Sequence, residues 1–444
     1  MADKTAPGPD TGQLGRFDRD AIGFVSEMGR TYGGIVRVKL GPFVVHLISD
    51  PDAVKHVLQD NAHNYTRGKF YRNFDLFFGR GMLTTDGAEW RERRQLSQPF
   101  FHRPRLRERA SVITDCAEDL VAQWELAADR NETVDITDGL MTLAMGVFGR
   151  MFLGVDLRPR SAELQPAVRF AMAAVLRSGS AAQLLPRWVP TGYRRTVRRH
   201  QRTLDAVMND VVERHVRGEV EEETVVTALL GAADWSREDV LAELKTLFLA
   251  GHETVGCTLV WTLLAISRQP EVRRTLEAEL ARVLGGRTPT AQDLDELVYL
   301  KQVVQESLRL HPAVWSYPRD VVADDTIGGY HIPAGSSILL SSYMTHHDRE
   351  LWDNPEAMDP QRFCPARAAE VNRPKYAYYP FGGGARKCIG FEAALLEVQL
   401  VVATIVGRLR MDLVPGLPVA MWPKASLRPT PNVLMTATRA GTAP

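Results

Sequence analysis

The chain is expected to fold as a mainly α protein with a small β-rich part, one large domain built around a long central helix. Three observations carry this expectation. Helical periodicity runs with little interruption from Pro51 to about Leu310. Within it, SREDVLAELKTLFLAGHETVGCTLVWTLLAISRQP stays apolar on most faces over roughly 30 residues, on the order of 50 Å as a helix, as befits an element running through an interior. Strand-like runs are confined to IVRVKLGPFVVHLIS near the N-terminus and to a stretch beginning RDVVADDTIGGYHIPAGSSILLSS.

The elements follow in order. Residues 1–15 are polar and Pro/Gly-rich and are expected to form a flexible tail, leaving 16–444 as the single domain. Gly41-Pro42 divides the first β-type run into a hairpin. Ser236 and Asp239 form a capping-box-like start for the long helix, and Gln269-Pro270 marks its stop. After the second β-type stretch, a loop-rich segment from about Asp353 to Phe381 leads to a further helix from about Gly390 to Arg410. The chain shows no internal repeat and no low-complexity block.

Composition narrows the function. Of the residues, 45% are hydrophobic and 24% charged, and the formal net charge is zero, which gives no electrostatic case for nucleic acid or an anionic membrane. Only nine of the 54 basic residues are lysine, a bias expected of a GC-rich bacterial genome. Cys116, Cys257, Cys364 and Cys388 are widely spaced, unlike the clustered ligands of zinc or iron–sulfur sites, and suggest no disulfide framework. The N-terminus has no apolar core for a signal peptide, and the run CTLVWTLLAI is too short to cross a bilayer. A reducing cytoplasm and no membrane anchor are therefore expected.

Four constellations carry chemistry. In FGGGARKCIG, Gly382, Gly383 and Gly384 permit close backbone approach to a flat ligand, and Cys388 stands where a helix begins. A helix N-terminus favours thiolate. A nucleophilic cysteine would want a histidine base, and none lies nearby in sequence; a metal ligand needs only the thiolate. The alternative is a small buried hydrophobe. Gly390 leaves room for backbone N–H groups to face the sulfur. In LAGHETVGC, Gly251 lacks a side chain and the Thr254 hydroxyl can capture the Ala250 carbonyl. The polar pair Glu253 and Thr254 in an apolar helix could hold ordered water; the alternative is a packing glycine and a satisfied threonine. QESLRLHP sets Glu306 and Arg309 at i,i+3, the spacing of an ion pair, which on a solvated surface would be worth under about 1 kcal/mol. GMLTTDGAEWRERRQL sets Trp90 and Arg94 at i,i+4 on a helix face.

The spacing Phe381-x-x-Gly384-x-Arg386-x-Cys388-x-Gly390 resembles the haem-binding signature of the cytochrome P450 superfamily, and the other motifs follow in that superfamily's order over nearly the whole chain. The resemblance implies a P450-type fold with its long helix over haem b, and a haem-binding loop at 381–390. Cys388 would be the proximal ligand, pushing electron density toward O–O cleavage. Phe381 would shield the sulfur, with Gly382 and Gly390 shaping the cradle, and Arg386 would pair with a propionate. Trp90, Arg94 and Arg319 are similarly implied propionate partners, Arg94 as a charge-assisted donor. Ala250, Glu253 and Thr254 resemble the motif that handles O2 and its protons, although Val255 stands where many relatives carry a second threonine. Glu306, Arg309 and Arg362 resemble a structural trio that holds the cysteine loop, with Gln361 where glutamate is common.

Phe70, Phe74, Phe77 and Phe78 sit where relatives place a mobile substrate-covering loop, and with Leu247, Ala250, Val314 and Trp315 they fit an apolar lining. Ordinary core packing is the alternative for each. The implied activity is insertion of one oxygen atom from O2 into a lipophilic small molecule, by hydroxylation or epoxidation. A bacterial secondary metabolite such as a terpenoid or polyketide is the expected substrate. The alternatives are fatty-acid or peroxide-driven oxidation, or non-enzymatic haem or gas binding. Electrons are expected from NAD(P)H through an external ferredoxin and ferredoxin reductase, the former docking near Arg386, Lys387 and the Arg91–Arg94 cluster of a monomer. His102 and His347 are expected at the surface.

Overall fold

A computed structural model describes residues 4–175 and 191–440. Its longer helices are α1 (Ala21–Tyr32), α2 (Gly68–Phe78), α3 (Gly87–Ser97), α4 (Ser111–Asp129), α5 (Ile136–Phe148), α6 (Ser161–Val175), α7 (Gly192–Val216), α8 (Arg237–Arg268), α9 (Pro270–Leu284), α10 (Val298–Leu310) and α11 (Phe391–Arg408). Contacts gather the chain into two compact units, Met1–Phe70 with Gln305–Cys388, and Tyr71–Val304 with Ile389–Pro444. Each unit joins two distant stretches of chain, so no linker marks a boundary in the sequence.

The first unit is organised on a five-stranded sheet in the order Ile35–Leu40, Phe43–Ile48, Ser337–Leu340, Tyr317–Val321, Tyr65–Thr66. Gly41 takes φ +63° at the turn of the expected hairpin, and Ile35 pairs with Ile48, Val38 with Val45. Residues 4–13, expected as part of a flexible tail, instead run along this sheet. Arg37 N–H donates to the Pro7 carbonyl and Gln13 N–H to the Lys39 carbonyl, and Ala6 is buried with Ile35, Ile338 and Tyr376. The Pro/Gly composition that suggested a tail suits an extended strand-edge segment equally well. Gly8 lies so close to the Arg37 carbonyl that a side chain has no room.

The second unit is helical, and α8 is its axis. The Ser236–Asp239 capping box is present, with Ser236 Oγ accepting from Asp239 N–H and the Asp239 carboxylate accepting from Ser236 N–H at 3.2 Å each. The helix ends at Gln269, before Pro270. It packs on α5 through two glycine notches: a Cβ on Gly251 would lie 2.5 Å from the Phe148 ring, and one on Gly256 2.5 Å from the Met141 sulfur. A sheet of Thr133–Asp135, Leu434–Arg439 and Leu409–Leu413 and a hairpin of Ala420–Pro423 with Leu427–Thr430 complete the unit. These C-terminal strands lie beyond the β-rich part that the sequence indicated. The α8 segment, together with Ile136–Leu153, is long and apolar enough by composition to cross a membrane, contrary to the reading of CTLVWTLLAI alone. The apolar windows are 83% and 78% buried within the protein, as core helices are.

Candidate active-site elements

In the first unit, the segment before α11 folds back on itself. Cys388 N–H donates to the Phe381 carbonyl at 3.0 Å, and Gly382 N–H to the Tyr379 carbonyl at 3.0 Å. Of the four cysteines, Cys116 and Cys257 are buried and Cys364 is intermediate, whereas Cys388 is exposed. Burial pushes the Cys116 and Cys257 thiols up, so neither is poised as a thiolate. The glycines serve the protein more than the sequence suggested. A Cβ on Gly384 (φ +62°) would meet the Leu58 carbonyl oxygen at 1.8 Å, and one on Gly383 would meet the Tyr376 ring at 2.3 Å. Their close approach is to neighbouring chain. At Gly382 (φ +68°) the nearest atom would be a Tyr317 ring carbon at 3.4 Å, so this position is glycine for its backbone conformation.

The loop is held from beneath by a buried polar network. Glu306 accepts from Arg309 Nε at 2.7 Å and Nη2 at 2.8 Å, from Arg362 Nε at 3.2 Å and from Asp359 N–H at 3.0 Å. Glu306 and Arg309 are fully buried, so this is no solvated surface pair; breaking it by removing one partner would leave an uncompensated buried charge. Arg309 also donates to the carbonyls of His346 at 2.7 Å and Ala357 at 3.1 Å. Burial holds His346 neutral, with its pKa well below the usual range. Its Nδ1 faces the Arg309 carbonyl at 3.2 Å while Nε2 accepts from Tyr379 N–H at 3.0 Å. That assigns the proton to Nδ1 and carries the network to the loop's entry. Tyr378 Oη donates to the Gln305 carbonyl at 3.0 Å and Tyr317 Oη to the Pro380 carbonyl at 2.8 Å. Sequence reading missed His346, Tyr317, Tyr378 and Tyr379; the pair YY directly before PFGGG was the available signal. Arg319 is buried and donates to the Pro318 carbonyl at 2.8 Å. Phe381 and Arg386 are half-buried.

In the second unit, α8 is buried along most of its length but opens at one place. Ala250 is exposed and Gly251 and Thr254 half-buried, between the buried Leu249 and Val255. Thr254 Oγ1 donates to the Ala250 carbonyl at 2.7 Å, as the sequence led one to expect. The bond satisfies a helical carbonyl and leaves the hydroxyl's lone pairs on the open face. Glu253 is placed otherwise. It is buried, accepting from Ser426 Oγ at 3.0 Å, with Arg428 Nη1 at 3.4 Å from both carboxylate oxygens. The sequence reading coupled Glu253 to Thr254; the structure couples it to residues some 170 positions away, beyond the reach of any local pattern.

On α3, Trp90 and Arg94 share a face as expected, the guanidinium 5.8 Å from the ring centroid, and both are half-buried. Arg93, part of the supposed docking cluster, instead turns inward: it is buried, donates to Asp239 at 2.8 Å and Glu89 at 3.2 Å, and stacks over Trp235. Arg91 and His102 are exposed; the His347 side chain is not, stacking on Tyr343 at 4.0 Å with burial lowering its pKa to about 4. Phe74, Phe77 and Phe78 form a continuous aromatic cluster, with Phe77 also edge-on to Phe170 at 5.8 Å. Phe77 and Phe78 are almost wholly buried, as is Leu247. The Phe70 side chain lies outside the described residues. Trp315, expected to line a pocket, is buried in the first unit's own core beside Phe17, while Val314 is half-buried.

Comparison with known proteins agrees with these elements. The family model for cytochrome P450 matches residues 6–437. Cyclooctatin synthase from Streptomyces melanosporofaciens is 31% identical over 97% of this chain and 93% of its own length. Cyclooctat-9-en-7-ol 5-monooxygenase from the same organism is 31% identical over 93% and 90%. The structure of retinoic acid bound cyanobacterial CYP120A1 superposes with a TM-score of 0.87 at 24% identity, covering 99% of this chain and all of that one, a likeness of fold. The chain belongs to the cytochrome P450 family. It is a P450 monooxygenase, and the family's cofactor is haem. The residues present fit that group: an accessible thiol at the end of a loop closed on its own backbone, beside an arginine two residues before it, is a donor set for a single thiolate ligand to iron.

Proposed function

We propose that this protein hydroxylates or epoxidises a lipophilic terpenoid with one atom of O2. The observation that carries the reading is the open Ala250–Thr254 face on an otherwise buried helix, where a hydroxyl stands ready in apolar surroundings. Relatives named for cyclooctatin synthesis and for oxidation of cyclooctat-9-en-7-ol, a terpenoid, support the substrate class.

Haem, when bound, supplies the activation of O2. Cys388 would be its thiolate ligand, with Phe381 covering the sulfur and the Gly382 and Gly390 backbone forming the cradle. Arg94, Arg319 and Arg386, with Trp90, would offset the propionate charges, since an unpaired buried carboxylate is costly. Thr254 would hold a water on the open face by accepting a hydrogen bond from it, its own hydroxyl kept oriented by donation to the Ala250 carbonyl. Glu253, held by Ser426 and Arg428, would reach the open face only by leaving them. Phe74 and Phe78 of α2 with Leu247 of α8 would exclude water around an apolar substrate. Electrons come from NAD(P)H through a ferredoxin and its reductase, in the cytoplasm, to a monomeric enzyme.

The test is turnover of a panel of cyclic diterpene alcohols under 18O2, with NADPH, ferredoxin and ferredoxin reductase. A product carrying one 18O atom is expected. Turnover driven by hydrogen peroxide alone, with no 18O incorporated from O2, would replace this reading by the peroxide-driven one. A ferrous carbon-monoxide spectrum without the red-shifted thiolate-type band would remove Cys388 as ligand.

A further inference from the structure

Beside the open face of α8, a second polar feature of that helix has no place in the chemistry above. Glu243 lies on the same helical face, seven residues before Ala250, and is fully buried. Its Oε2 accepts from Met82 N–H at 2.9 Å. Among the described residues its Oε1 has no partner, nor has the buried Thr246 hydroxyl one turn along. Above them runs the loop Gly79–Thr85, packed without slack. A Cβ on Gly81 would lie 2.1 Å from Thr246 Oγ1, and one on Gly79 (φ +73°) 3.0 Å from the Ala242 side chain. The loop is bonded to itself: Thr85 N–H donates to the Gly81 carbonyl at 3.1 Å, and Thr84 Oγ1 accepts from Gly81 N–H at 3.2 Å. It is therefore a stiff piece resting on the helix.

The loop joins α2, which carries Phe74, Phe77 and Phe78, to α3, which carries Trp90 and Arg94. We propose that Glu243 is a positioning residue that latches this loop to α8 through the Met82 amide, and so sets how long a substrate is retained. The proposal rests on the monooxygenase reading above for what the loop retains.

The charged groups around the carboxyl are few and fixed. Arg93 Nη1 of α3 is 3.6 Å from Oε2, too long for a direct bond, and Arg93 is already engaged by Glu89 and by Asp239. Glu89 is in turn paired with Arg80 of the loop. Arg93 thus keeps two counterions when Glu243 is replaced, and the local structure survives the substitution. Burial pushes the Glu243 carboxyl up to about 7, with the Met82 amide and Arg93 opposing that rise and the Glu89 charge adding to it. A carboxylate is the stronger acceptor for the Met82 amide, so the latch tightens as Glu243 ionises.

Hydrogen–deuterium exchange of the peptide spanning Gly79–Thr85 in the full-length, haem-loaded protein, with stopped-flow dissociation of clotrimazole as the bulky probe, tests this. Glu243→Leu, which removes the acceptor, is expected to raise both the exchange rate and the clotrimazole off-rate about tenfold, with an unchanged ferrous carbon-monoxide spectrum. Glu243→Gln keeps an acceptor oxygen and is expected to restore slow exchange. Wild-type off-rates should be higher at pH 6 than at pH 8, while those of Glu243→Gln stay level. Unchanged exchange in Glu243→Leu overturns the latch; faster exchange with an unchanged clotrimazole off-rate overturns its role in retention. If wild-type protein gives no red-shifted Soret band with clotrimazole, the haem reading itself fails and the retention role falls with it, whatever exchange shows of the loop.

Discussion

Thr254 and Glu243 sit on one helix and fail in different ways when changed. Thr254→Ala removes the hydroxyl but leaves the Ala250 carbonyl to its helical bond, so folding is expected to be unaffected. Product formed per NADPH should fall by about tenfold or more, with hydrogen peroxide appearing in its place; assaying NADPH, product and peroxide together checks this. For Glu243 the reasoning is a linkage one. Its carboxyl is raised by burial from 4.5 to about 7. The folded protein therefore binds more protons than the unfolded chain across that window, and stability fully present below about pH 4.5 is lost as pH rises through about 7. Glu243→Gln cannot ionise and escapes that loss. Its melting temperature should rise relative to wild type between pH 5 and pH 8, by up to the order of 3 kcal/mol of stability. An offset that does not vary with pH would mean the carboxyl does not titrate there.

At the scale of elements, the cysteine loop shows why a glycine-rich stretch precedes a ligand. Gly384 combines a positive φ with a carbonyl oxygen of Leu58 where its side chain would be. Gly384→Ala must displace the backbone of a neighbouring segment, and the haem-to-protein ratio after purification is expected to collapse. Gly407→Ala, on α11, is the control: its added methyl would meet nothing within 4 Å, so haem content should stay near wild type. Equal loss in both variants would show that haem content does not report the clearance at Gly384. The Glu306–Arg309–Arg362 network and neutral His346 explain the loop's rigidity from the other side, because they fix Tyr379, and through it Gly382, before the ligand residue is reached.

For the whole molecule, zero net charge means that a redox partner is steered by local charge alone. Arg91 is exposed and Arg93 is committed inward, so the proposed docking surface on α3 would be smaller than the arginine count suggests. Reduction by an acidic ferredoxin should slow as ionic strength rises from about 0.01 M, where the Debye length is about 30 Å, toward about 1 M, where it is about 3 Å. A rate indifferent to salt would dismiss electrostatic docking at these arginines. The sequence by itself carried the reaction class through its resemblance to the cytochrome P450 signature, legible because the ligand loop, the Ala250–Thr254 turn and the Glu306–Arg309 pair each lie within a few residues. It also determined the long helix, whose cap and stop are local signals. What only the tertiary structure decided are partnerships across large separations: Glu253 with Arg428, Glu243 with Met82, Gly384 with Leu58, and an N-terminal segment seated against a sheet. Those depend on which buried polar groups and backbone edges packing brings together, and no local spacing records that choice.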